Sequence, residues 1–139
     1  MDLSRTLDWA GDRTHGVLVT LRADGRAQSS DVVFAVLDGH ICISVTDDRA
    51  KTRNMRRDDR VVFHITDPAT WTYASIDATA HLSAVAARPD DEVVEELAAV
   101  YRRVAGGDHP DWEDFGRAMV EERRLVVRLR PHAATGRTG

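Results

Sequence analysis

The stretch Asp47-Asp48-Arg49-Ala50-Lys51-Thr52-Arg53-Asn54-Met55-Arg56-Arg57-Asp58-Asp59 is charged against its own dipole. Its polar pattern predicts a helix over 49–58, which places Arg49 and Lys51 at the positive end and Asp58 and Asp59 at the negative end. Each misplaced charge costs a few tenths of a kcal/mol, up to about 1. An anion docked on the first turn reverses that sign, because free backbone N–H groups and both cations would point at it. A solvated basic helix whose charges answer neighbouring carboxylates fits the same residues. At this level both alternatives stay open.

Two other groups have the composition of a binding surface. Trp71 and Tyr73 are spaced to share one face of a strand, as core, dimer contact or both. Gln28, Ser29, Ser30 and Asp31 put polar groups at the start of an extended run that turns apolar. That pattern fits a solvated strand end, or a strip that meets the edge of a heterocycle. The six histidines fall one to an element with no metal-ligand spacing, so no metal is expected. Neither a nucleophile elbow nor a glycine-rich phosphate loop is present.

The elements that must position these groups alternate apolar and polar residues. Val17–Leu21, Ala27–Leu37, Ile41–Thr46, Val61–Ile65, a bent Trp71–Val85 and Leu125–Leu129 are the expected strands. Arg22-Ala23-Asp24-Gly25 and Asp38-Gly39 supply the turns between the first three. A short helix runs from Leu3 to a stop at Gly11. A longer one opens with Pro89-Asp90-Asp91-Glu92 and ends at Arg102-Arg103 before Gly106-Gly107, the order its dipole favours. Trp112–Glu122 repeats that pattern more weakly, and Thr135–Gly139 are expected to fray. The sum is a mainly β, α+β domain over 1–139: a six-stranded, closed or nearly closed barrel with peripheral helices.

Bulk properties narrow the function. The chain has 139 residues and a net charge of −4, which disfavours a nucleic-acid partner. A lone Cys42 excludes an internal disulfide and fits a reducing cytoplasm. No stretch has the apolar length of a membrane span, and the polar start lacks a signal-peptide core, so a cytoplasmic protein is expected.

The run Arg49-Ala50-Lys51-Thr52-Arg53-Asn54, shortly after the strand Ile41–Thr46, resembles the phosphate-binding stretch of the pyridoxamine 5′-phosphate oxidase-like, FMN-binding split-barrel superfamily. The resemblance is closest to the actinobacterial branch that uses the deazaflavin coenzyme F-420. Gly16–Thr20 with Asp24-Gly25-Arg26, Trp71-Thr72-Tyr73, Leu97–Arg102 with Ala105-Gly106, and Asp111-Trp112 with Ala118–Val120 resemble that branch in the same order.

The resemblance implies a six-stranded split barrel, a homodimer, and two cofactor sites between the subunits. Arg49 and Lys51 would bind the phosphate, with Thr52 and Asn54 in support. Gln28, Ser30 and Asp31 would edge the ring from one strand and Ser44 from the next, while Trp71 and Tyr73 would reach in from the other subunit. Two departures bear on this. Asp31 stands where close relatives carry an amide, and Pro131-His132 is not followed by the usual aromatic residue, so His132 is left out of the site. The implied activity is hydride transfer from reduced F-420 to a small, flat, conjugated acceptor. An FMN-dependent oxidase or reductase and a non-catalytic cofactor-binding protein are the alternatives.

Overall fold

The computed structural model describes residues 1–139. In chain order the elements are α1 (Leu3–Ala10), β1 (His15–Leu21), β2 (Ala27–Val33), β3 (Ala35–Leu37), β4 (His40–Thr46), α2 (Ala50–Arg57), β5 (Arg60–Asp67), β6 (Thr72–Leu82), α3 (Glu92–Ala105), α4 (Trp112–Glu121) and β7 (Arg124–Arg137). Three helices begin on a capping aspartate. Asp2, Asp91 and Asp111 accept from the backbone N–H of Arg5, Val94 and Asp114, each satisfying a donor the helix cannot. Asp38 and Gly39, both at positive φ, make the tight turn between β3 and β4 that the Asp-Gly pair predicts.

All strands join one antiparallel sheet in the order β2-β1-β5-β6-β7-β4-β3. Seven strands replace the expected six, because the run Ala27–Leu37 is divided at Phe34. Val33 pairs with His15 of β1, whereas Ala35 pairs with Cys42 of β4. Between them the Phe34 N–H bonds to the Thr14 carbonyl at 2.9 Å. One extended run thus serves both edges of the sheet, and the sheet curls into a split barrel. The right-handed twist carries the strand away from β1 before it reaches its end, so it must change partner. Phe34 is fully buried at the junction and meets Phe63 edge-on at 5.0 Å. Burying that ring contributes about 1.5–3 kcal/mol.

The chain's last strand extends well past the apolar run Leu125–Leu129. It runs to Arg137, and Thr135, Gly136 and Arg137 pair with Ser75, Ala74 and Tyr73. The expected fraying of 135–137 does not occur, since β6 offers an edge whose backbone groups need partners.

The barrel interior is filled by Leu18, Ile43, Val45, Phe63, Ile76, Leu125 and Val127, with α2 inserting Met55 and α1 inserting Ala10. A second apolar layer lies outside it, where Leu97, Val100 and Phe115 of α3 and α4 pack on Cys42 and Val126. Val17, Val19, Leu21 and Val62, on the outward face of β1 and β5, remain only half-buried.

Candidate cofactor site

Helix α2 is fastened to the barrel by its polar residues. The Thr52 hydroxyl donates to the Thr46 carbonyl at 2.7 Å, tying the first turn to the end of β4. Asn54 is buried and donates its amide to the Thr20 hydroxyl and to Gln28 Oε1, both at 3.1 Å, while its Oδ1 accepts from Arg57. These residues therefore hold the helix in place, and their own polar atoms are already engaged.

The first turn of α2 differs from those of the other helices. Its N-cap is Arg49, which makes no capping bond, whereas the other three are capped by aspartates. Neither Arg49 nor Lys51 has a carboxylate within ion-pair distance. Asp47, close in sequence, is held between Arg56 and Arg123 at 2.6 Å each. Asp48 accepts from the Thr46 hydroxyl. Partial burial holds the Lys51 ammonium below its ordinary pKa, and the positive charges of Arg49 and Arg124 push the same way. Three cations thus gather at the positive end of a helix, where an anion would offset their charge.

Arg124 was not among the candidates taken from the sequence. It opens β7 opposite Thr46, reaches Ser44 Oγ at 3.3 Å and pairs with Glu122 at 3.0 Å. Only the β4–β7 pairing brings it to Lys51, and no local spacing signals that.

Ser44 lies on the outward face of β4, its neighbours Ile43 and Val45 pointing into the core. With Val33 and Arg124 it lines an apolar slot of about 230 Å³ beneath Leu97, Val100 and Tyr101. Strand β2 alternates strictly. Gln28 and Ser30 share the half-buried face with Val32, while Asp31 shares the exposed face with Ser29 and Val33. The three polar residues expected to edge a ring together are therefore split between two faces, as the period of two requires.

Trp71 is not on a strand. It sits in the turn before β6 at φ +55° and is 81% exposed, with Tyr73 two residues later on the strand at 44%. Both line an open concavity of about 540 Å³ with His64, Asp67 and Arg137. The His64 ring stacks on Tyr73 at 5.8 Å.

This second group is remote from the first. Arg124, beside Lys51, begins the fourteen-residue strand that Arg137, beside Tyr73, ends. At about 3.3 Å per residue the two are separated by roughly 45 Å of strand contour. Within one protomer the proposed phosphate and aromatic groups lie at opposite ends of β7.

A family model described as pyridoxamine 5′-phosphate oxidase matches residues 7–137. The chain belongs to that family. Solved structures of similar fold include a conserved hypothetical protein from Mycobacterium tuberculosis, at 23% identity and TM-score 0.78 over 99% of this chain and 84% of that one. An F-420 reductase matches at 20% identity and TM-score 0.67 over 90% of this chain and 92% of its own. The heme storage protein of Vibrio cholerae matches at 16% identity and TM-score 0.71 over 99% and 96%. At these identities the likeness is one of fold. As a pyridoxamine 5′-phosphate oxidase family member, the protein carries its uncompensated cations on the helix that follows β4. The donor set there, two or three cations and an uncapped helix start, suits a phosphate group.

Proposed function

We propose that this family member is a homodimeric oxidoreductase that binds reduced coenzyme F-420 and passes hydride to a flat, conjugated small molecule. The observation that carries the proposal is the uncapped first turn of α2, where Arg49 and Lys51 lack a carboxylate and Arg124 adds its charge. A phosphate there would gain charge-assisted hydrogen bonds of about 1.5–3 kcal/mol each. It would also relieve the repulsion that disfavours the charged form of Lys51.

When bound, the reduced ring supplies the hydride. The chain's own residues position it. Arg49 and Lys51 fix the phosphate, and Thr52 and Asn54 keep α2 seated. Ser44 of β4 and Asp31, on the exposed face of β2, edge the ring. Trp71 and Tyr73 of the second protomer cover it and exclude water. Alignment, rather than a dedicated acid or base, then lowers the barrier. The dimer is supported by the separation of Lys51 from Tyr73 within one chain. It is also supported by the half-buried Val17, Val19, Leu21 and Val62 and the exposed Trp71, which a C2 interface would hide.

A side-by-side titration of purified protein with F-420 and FMN tests this. Tighter binding of F-420, with hydride transfer to a quinone or enone, is the expected result. Preference for FMN would replace the cofactor but keep the site, and binding of neither would overturn the proposal. The fold likeness to a heme storage protein favours a second reading, a carrier without catalysis. Tight cofactor binding without turnover would support it.

A further inference from the structure

The concavity around Trp71 has a cation of its own. Arg137 stands opposite Tyr73 in the β6–β7 ladder, so their side chains leave the sheet on the same face. Gly136 makes this pairing tight. It lies at φ +145°, and a Cβ built on it would fall 2.2 Å from the Tyr73 carbonyl oxygen, so only glycine lets β7 close here. On the other wall Trp71 holds a left-handed backbone while its indole faces solvent, a conformation a bulky residue adopts only when its surroundings impose it. The Thr70 and Thr72 hydroxyls bond across it at 2.6 Å. Asp67, the carboxylate on the lining, is occupied by Arg13 at 2.7 Å and by the Ala69 N–H at 3.2 Å. Arg137 makes no ion pair.

We propose that Trp71, Tyr73 and Arg137 form a binding site for a flat aromatic anion. Its ring stacks on the indole and phenol, and its negative charge meets the guanidinium. The geometry of one protomer carries the site; its placement opposite the partner's phosphate end rests on the shared-site reading above. There it assigns the acceptor, or the exposed edge of the cofactor ring, a negative charge remote from the phosphate. Arg137 is then a specificity residue that favours acidic conjugated rings over neutral ones.

The probe is 2-naphthalenesulfonate, titrated against tryptophan emission, with Trp71→Phe identifying the responding indole among the three tryptophans. Wild type should bind it, Arg137→Gln at least tenfold more weakly, and Arg137→Lys close to wild type. Uncharged 2-naphthol should bind wild type and Arg137→Gln alike. Circular dichroism melts confirm that each variant is folded. Equal sulfonate affinity in wild type and Arg137→Gln, or no Trp71 response in wild type, overturns the site. F-420 and FMN titrated into the same samples separate the two proposals. Sulfonate binding without cofactor binding removes the cofactor reading and keeps this site, and the converse removes this site alone.

Discussion

Lys51 and Tyr73 stand at opposite ends of one strand, Lys51 beside Arg124 at the head of β7 and Tyr73 paired with Arg137 at its foot. A site that uses both must draw them from different chains. The protein should therefore be a dimer at micromolar concentration, and light scattering measures this directly. A monomeric mass would remove the aromatic half of the cofactor site.

Lys51→Ala and Arg49→Ala should each weaken cofactor binding by about 1.5–3 kcal/mol, the range for hydrogen bonds to charged groups. Their melting temperatures should stay near wild type, because both cations sit at the unfavourable end of a helix and neither has an ion-pair partner to lose. Calorimetric titration of the folded variants checks the pair of outcomes. Unchanged affinity in both would place the phosphate elsewhere.

Affinity should also fall on the alkaline side earlier than an ordinary lysine predicts. Burial, Arg49 and Arg124 lower the Lys51 pKa from its usual 10.5, so the free protein loses that proton below pH 10.5. A bound phosphate favours the charged ammonium, and binding must then take up a proton. Stability runs the other way. The folded pKa lies below the unfolded one, so the charged lysine opposes folding at low pH and that penalty fades as pH rises through the folded value. Cofactor affinity should therefore drop while the apoprotein gains slightly in stability over the same window. Lys51→Arg, which does not titrate there, should flatten the affinity profile.

Asn54 carries the seating of α2. Asn54→Leu removes donors to Thr20 and Gln28 and an acceptor for Arg57 at a buried position. The stability cost should be about 1–3 kcal/mol from polar groups left unpartnered. Chemical denaturation gives the stability and a parallel titration the affinity. A variant that loses stability but binds as wild type would show that α2 need not be seated by this network.

The elements of this fold were legible where a local rule decided them. Asp91 opening α3, the Asp38-Gly39 turn and the inverted charge of α2 all depend on residues within a few positions. Alternation says which face a side chain takes but not which strand lies alongside, so the change of partner at Phe34 left no trace. The tail of β7 was hidden for a related reason, because its hydrogen bonds belong to the backbone and its side chains are polar or small. The separation of Asp31 from Gln28 and Ser30 was available in the sequence, since the period of two already forbids a common face. Arg124 was not, because only tertiary pairing brings it to Lys51.

The shared site can be tested without seeing the dimer. Trp71→Ala and Lys51→Ala should each impair cofactor binding alone, one through the aromatic wall and the other through the phosphate. In a heterodimer of the two variants, sharing across the interface would place both defects in one site and leave the other site intact. A mixture should then bind at wild-type affinity with up to half the sites of the mixed dimers recovered, above either parent. If both residues served one site within a chain, every site would keep one defect and mixing would change nothing. Subunit exchange is confirmed separately by mass spectrometry of differently tagged chains. Exchange without recovery would leave Trp71 as an exposed turn residue, and the strain of its left-handed backbone would need a different cause.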